Sequence, residues 1–327
     1  MEKIETLFRR CVMSILLTLC CHGLAVGQSW PTRSVTFVSS TSSGSAADAT
    51  ARILAPRLSA LWKQAVVVDN RTGAAGNIGV ASVARANPDG YTVLFAPNTV
   101  TMVGALYKNL GWDIEQSFEH VILLARTVSV LVVNNDLPVK SAAELIALAR
   151  RRPGELNYAS PGVGTPQHLS GELFKQIEGL DVVHVPYKTL AAAVIDVAGG
   201  RAQFGFLSMT AISPLLKAGK LRGLASIGEQ RHPTTPDVPT FREAGIERVQ
   251  AGGWAGVFLP RGTPREVVDR MARDIGALLQ TPEVQQEILR ADLYPNTNGG
   301  QREFSALVKG DTERWRKVIA DGKITAD

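Results

Sequence analysis

From Ser34 onward, short β-branched runs alternate with longer stretches in which apolar residues recur every three or four positions. The first pattern predicts strands over Ser34–Ser40, Ala65–Asn70 and Thr92–Ala96, and the second predicts helices over Asp48–Leu61 and Asn77–Ala86. The rhythm resumes with helices at Ala142–Arg151, Gln167–Glu178, Ala191–Ala198 and Ile212–Ala218. Between and after them come strands at Asn157–Ser160, Asp181–Val185, Gln203–Ser208 and Leu221–Ile227. Such alternation builds βαβ units, so the expected class is α/β, with mostly parallel sheets covered by helices on both faces. Helix starts agree with it. Ser141 with Glu144 and Thr263 with Glu266 have capping-box spacing, and Thr165-Pro166 and Thr281-Pro282 each set a capping residue before a first-turn proline.

Two stretches break the rhythm. Val121–Val133 is apolar except at Arg126, Thr127 and Ser129, and is too long for one ordinary strand. It is read as a crossover strand leaving one sheet for another. Val249–Leu259 is read as the return crossover, followed by helices over Pro264–Leu279, Pro282–Ala291 and Gln301–Asp321. The expected organisation is therefore two α/β domains, residues 28–125 plus 252–327 and residues 126–251, with a hinge and a ligand cleft between them. Loops at the carboxyl ends of the strands would line that cleft.

The N-terminus has a different grammar. Arg9 and Arg10 precede an apolar run from Cys11 to Val26, and Ala25-Val26-Gly27 offers a small-residue cleavage site before Gln28. This reads as a signal peptide over residues 1–27, hence export to the periplasm by the general route. The run is shorter than a membrane span and holds His22. The rest of a twin-arginine pattern is missing, and Leu19 and Cys20 are poor substitutes for the small residue before a lipidated cysteine. All three cysteines (Cys11, Cys20, Cys21) fall inside the segment removed, so no disulfide, thiolate nucleophile or cysteine-bound metal is expected in the mature chain.

Composition narrows the classes without choosing one. Of the 327 residues, 45% are hydrophobic and 20% charged, which excludes a disordered, collagenous or coiled-coil chain. Beyond residue 27 there are 32 basic and 28 acidic residues, and no Lys/Arg block occurs, so nucleic acid is not an expected partner.

Four βα loops are rich in small and polar residues: Ser39–Asp48, Arg71–Gly79, Ala96–Thr101 and Tyr158–His168. Glycine lets backbone approach a ligand closely, and a helix N-terminus offers unpaired N–H groups with partial positive charge. A carboxylate can be held there with no arginine. Each loop alone is equally an ordinary tight turn; four around one cleft favour a site. Gly73, Gly76 and Gly79 have the wrong spacing for a dinucleotide fingerprint, and no acidic residue ends a following strand in the expected place. No P-loop, G-x-S-x-G or H-E-x-x-H occurs, and His120, His168, His184 and His232 lack metal-ligand spacing on one element. Neither cofactor nor metal is expected. His168 falls in the first turn of a helix, as a polar residue of the cleft rather than a base. Asp48 serves either the helix N-terminus or a ligand, and Tyr187 and Trp254 either line a pocket or pack in the core.

At these loops the chain resembles the periplasmic solute receptors of the tripartite tricarboxylate transporter group, the Bug or TctC family. Trp30–Arg33, Val66–Gly79, Ala86–Thr92, Leu156–Ser160, Gln167–Glu172, His184–Lys188 and Lys217–Arg222 carry the likeness over nearly the whole mature chain. The resemblance implies a type II periplasmic-binding-protein fold closing on a small carboxylate, which main-chain N–H groups and ordered water hold. It also implies a transient partner, a membrane permease of the tripartite tricarboxylate type, and the chain itself is expected to be monomeric. The expected ligand-binding residues are Ser43, Gly44, Ser45, Asp48, Gly76, Asn77, Asn98 and Thr99 on one side. On the other they are Ser160, Gly164, Thr165, Gln167, His168, Tyr187 and Leu207.

Two departures from the family pattern bear on the ligand. Ser40–Ser45 replaces a proline- and glycine-rich run, and Leu207-Ser208 stands where many relatives carry an acid. Without that acid an ammonium group would lack a partner in a desolvated cleft, so the expected ligand is a carboxylate without a free amino group. Capture for transport is the leading expectation, with no enzymatic activity. The alternatives are a ligand sensor signalling to a kinase, and a hydrolase using a serine among Ser39–Ser45, which lacks a plausible Ser–His–acid set.

Overall fold

A computed structural model describes residues 30–325 except 108–109, 229 and 250–251; the N-terminal apolar run lies outside the described residues. In chain order the first strands are β1 (Val35–Ser39), β2 (Val66–Asn70), β3 (Thr92–Pro97) and β4 (Phe118–Thr127). With β10 (Gly253–Pro260) and β11 (Leu293–Pro295) they form a six-stranded sheet in the order β11-β4-β10-β3-β1-β2. The second sheet has five strands: β5 (Ser129–Asn134), β6 (Asn157–Ser160), β7 (Val183–Pro186), β8 (Phe204–Ser208) and β9 (Leu221–Ser226), in the order β7-β6-β8-β5-β9. In each sheet three strands run parallel and one inserted strand runs against its neighbours. β10 is antiparallel to both β3 and β4, and β5 to both β8 and β9.

The helices are α1 (Ala46–Trp62), α2 (Asn77–Ala84), α3 (Thr99–Leu106), α4 (Ala142–Arg151), α5 (Pro166–Glu178), α6 (Leu190–Ala198), α7 (Met209–Lys217), α8 (Arg265–Leu279), α9 (Pro282–Arg290) and α10 (Gln301–Asp321), and all but α3, which forms where a loop was expected, follow the predicted rhythm. In α1 the buried residues Ala47, Ala51, Leu54, Leu58 and Trp62 recur at helical spacing, laying one stripe against β1 and β3. Ser141 caps α4, accepting the Glu144 N–H at 3.2 Å, and the Glu144 carboxylate accepts the N–H of Lys140, the residue before the cap, at 2.7 Å. Thr165 caps α5 as expected, but two of the expected caps differ. The hydroxyls of Thr263 and Thr281 donate backwards, to the carbonyls of Pro260 and Leu278, both at 2.8 Å, and make no cap bond.

The apolar run at 121–133 is two strands, not one. β4 ends at Thr127, β5 begins at Ser129, and the chain changes sheet at Val128, which is buried. Pairing explains the break: Thr127 still pairs with Gly253 and Leu293, while Ser129 already pairs with Ser208. The return is also longer than expected. After β9 the chain makes an irregular excursion, with a bridge from Ser226 to Thr240 and with Phe241, Ile246 and Val249 in the core of the second sheet, and β10 starts at Gly253 rather than near Val249.

Two elements that begin over the first sheet end in the core of the second. The first half of α10 packs Phe304 and Val308 among Trp254 and Phe258. Its second half sends Trp315, Val318 and Ile319 into the cluster around Leu131, Tyr158 and Phe174, where Met102 of α3 joins them.

Candidate functional site

The carboxyl ends of β1, β2 and β3 in one sheet and of β6, β7 and β8 in the other carry the polar loops, and both sheets meet at the crossing between β4 and β5. The two sides are in contact. The Leu106 side chain of α3 lies against Gly164 in the loop before α5. A pocket of about 30 Å³ lies at the crossing, lined by Thr127, Ser129, Gln167, Ser170, Ser208 and Gly253 among others. None of its lining side chains is charged. Asn98 closes this end from β3: its N–H donates to the Trp254 carbonyl at 2.9 Å and its amide to Gly252 at 3.4 Å. The helices α1, α3, α5 and α7 follow β1, β3, β6 and β8 and so begin at the carboxyl ends of the strands, where the first N–H groups of a helix lack partners within it.

Of the expected residues, Asn98 and Gln167 meet at this crossing region, and the rest fall into two groups. The first loop is organised around Asp48. Its carboxylate accepts the Gly44 N–H at 2.8 Å, the Asn70 amide at 2.7 Å and the Arg52 guanidinium at 3.0 Å. Burial pushes its pKa up, but the bonds from Arg52, Gly44 and Asn70 outweigh that and hold it below the ordinary carboxylate range. Ser45 caps α1, while Ser43 and Gly44 form the exposed tip of the loop. In the second loop Gly76 is buried with φ +91°, and a Cβ there would stand 3.0 Å from the Ser40 carbonyl, so glycine joins the two loops closely. Asn77 is engaged through its carbonyl by the Trp112 indole N–H. Thr99 opens α3.

On the second sheet, Thr165 caps α5 and donates its hydroxyl to the Gly162 carbonyl at 2.7 Å. Gly164 has φ +75°, and its N–H donates to His168 Nδ1 at 3.0 Å. Ser160 is fully buried, 2.7 Å from His184 Nε2. Tyr187 is bonded through its hydroxyl to Asp196, and burial followed by that bond raises its pKa to about 12. Leu207 points into the core with Val130 and Ala159; Ser208, next along β8, faces the crossing pocket. Sequence reasoning missed Thr127, Ser129, Ser170, Ser208 and Gly253 as lining residues. Thr127 and Ser129 had a visible signal, being polar interruptions of a long apolar run at a change of sheet.

The Ser160–His184 pair is a serine beside an imidazole that the sequence did not foreshadow. Its chemistry is weak. Burial, then the neighbouring His168 and Lys175, hold the His184 pKa down to about 3, and burial holds His168 down to about 4. The nearby acid, Glu172, is taken by the Tyr158 hydroxyl at 2.6 Å and Lys175 at 3.0 Å. A buried serine with so poor a base is no nucleophile. What the cleft offers is a set of neutral hydroxyls, amides and N–H dipoles.

Two α/β sheets joined by two crossings, each with an inserted antiparallel strand and its loops turned toward the other, define the architecture of a periplasmic binding protein. The comparisons with known proteins are specific about which kind. The family model for the tripartite tricarboxylate transporter family receptor, TctC, matches residues 50–324, and the chain belongs to that family of periplasmic solute-binding receptors. It is 36% identical over 300 residues to a UPF0065 protein from the tcbD–tcbE intergenic region of Pseudomonas sp. strain P51, covering 91% of this chain and 89% of that one. Among solved structures, Rpa4515 of R. palustris with adipate superposes with a TM-score of 0.75 at 37% identity, covering 90% of this chain and 99% of the other. MatC of Rhodopseudomonas palustris with bound malate gives 0.72 at 26% identity, with 89% and 100% covered.

Proposed function

We propose that this protein captures a small organic carboxylate without a free amino group by closing two lobes around it, and delivers it to a membrane permease of the tripartite tricarboxylate type. The lobes are residues 28–125 plus 252–327 and residues 126–251, with residues 1–27 removed on export to the periplasm. The observation that carries the reading is the cleft's polarity. The crossing pocket is lined by the starts of α5 and α7, at Pro166, Gln167 and Ser208, and by the hydroxyls of Thr127, Ser129 and Ser170, with no charged side chain among them. Such a site stabilises an anion through charge-assisted hydrogen bonds at about 1.5–3 kcal/mol each. An ammonium group would be desolvated there without a carboxylate to meet it, because Leu207 and Ser208 supply none. Adipate in Rpa4515 and malate in MatC are both carboxylates free of nitrogen, which supports the same class here.

A thermal-shift screen of the exported protein against mono-, di- and tricarboxylates, aromatic acids and amino acids tests this. A ligand at 100 times its Kd adds about 2.7 kcal/mol to stability, so a nitrogen-free carboxylate is expected to stand out. Tight binding of glutamate or aspartate, with no response to plain organic acids, overturns the proposal.

A further inference from the structure

Beneath the loop joining β6 to α5, two imidazoles and a serine form one packed unit. Tyr158 and His184 are cross-strand partners in the parallel pair of β6 and β7, with ring centroids 4.9 Å apart. His184 Nε2 lies 2.7 Å from Ser160 Oγ, which in turn accepts the Gly162 N–H at 3.1 Å. His168 stacks on His184 at 4.0 Å, and its Nδ1 accepts the Gly164 N–H at 3.0 Å. The loop is tied at both glycines, at 162 through Ser160 and at 164 through His168. Those glycines have φ +127° and +75°. Glycine visits such conformations freely but does not enforce them, so the loop's shape has to be imposed from outside.

We propose that His168 and His184 are positioning residues for ligand capture. The stacked pair holds the Ser160–Thr165 loop in the shape that presents its backbone and Thr165 to the cleft, and neither ring touches the ligand. The inference rests on the cleft being the carboxylate site. Because Nδ1 accepts an amide N–H, His168 is neutral and carries its proton on Nε2; a cationic ring would set N–H against N–H. The titratable groups facing the pair are Tyr158 on β6 and Glu172 and Lys175 on α5, with Glu172 engaged by the other two.

Amide side chains separate this role from mere packing. The oxygen of asparagine falls where a histidine Nδ1 stands, and the amide of glutamine falls where Nε2 stands. Kd for adipate and malate is measured by calorimetry on the exported protein and its variants. His168→Ala and His184→Ala are expected to weaken binding about tenfold. His168→Asn restores it where His168→Gln does not, and His184→Gln restores it where His184→Asn does not. Without ligand, amide hydrogen exchange at Gly164 speeds up in His168→Ala and stays slow in His168→Asn. As the pH falls from 6 toward 4, wild-type affinity drops by more than protonation of the ligand's own carboxylates accounts for, and His168→Asn reduces that excess.

Wild-type Kd in the alanine variants overturns the inference, as does interchangeable rescue by Asn and Gln at either position. If an alanine variant fails to fold, the amide pair at the same position still decides. A wild-type protein that takes up no carboxylate overturns the carboxylate reading itself, and this is seen before any substitution is made.

Discussion

Asp48 shows how one side chain sets a loop. Its carboxylate satisfies Gly44, Asn70 and Arg52 together, tying the first loop to the end of β2. Replacing it by asparagine removes the charge that these donors share while keeping the shape. Asp48→Asn is expected to cost about 1–3 kcal/mol of stability, seen as a lowered Tm with the fold unchanged by circular dichroism. The histidines make an opposite kind of contribution. His168 and His184 are neutral when folded, with pKa values near 4 and 3 against an ordinary 6.5. Below pH 6.5 the unfolded chain takes up protons that the folded chain refuses. Their contribution is thus complete above about pH 6.5 and is lost as the pH falls toward 3–4. Thermal melts across that window are expected to show Tm dropping steeply, with a shallower drop in His168→Asn.

At the scale of elements, two caps allow a clean comparison. Thr165 and Ser141 both cap helices, and only Thr165 adjoins residues that line the crossing pocket, Pro166 and Gln167. Either change to alanine is expected to cost about 1 kcal/mol, while ligand affinity falls only in Thr165→Ala. Most elements were legible because their apolar periodicity is strong, and β6, α4 and α10 have the predicted limits. Helix α3 was not, since its sequence from Thr99 to Leu106 is apolar on nearly every side and reads as a loop until packing buries it. The caps at Thr263 and Thr281 matched a pattern that a competing turn satisfied first: each hydroxyl bonds the carbonyl three residues back. Of the candidate site, the loops were visible and the orientations were not. β8 is buried on both faces, so nothing in its sequence told whether Leu207 or Ser208 would face the crossing.

For the whole molecule, the arrangement described has the two sides touching through Leu106 and Gly164, and the pocket at the crossing holds one or two waters' worth of space. The carboxylate proposed as ligand reaches that depth only if the two proposed lobes separate. Small-angle scattering is expected to give a larger radius of gyration for the ligand-free protein than for the protein saturated with ligand. A Cβ at Gly164 would stand 2.7 Å from the Leu106 side chain, at a φ of +75°. Gly164→Ala is therefore expected to weaken binding, with partial recovery on adding Leu106→Ala, since the clash is relieved and the backbone strain stays. Equal affinity in the single and double variants would show that this contact does not govern closure.

The last helix adds a consequence in time rather than space. The core of the second sheet is sealed by Trp315, Val318 and Ile319, residues made some sixty positions after β10 begins at Gly253. During synthesis that core lacks one wall until the final turns of α10 are made. Residues 126–251 made alone would expose the apolar surface that α10 covers, and are expected to be recovered as a soluble, folded piece only when a peptide carrying α10 is supplied with them.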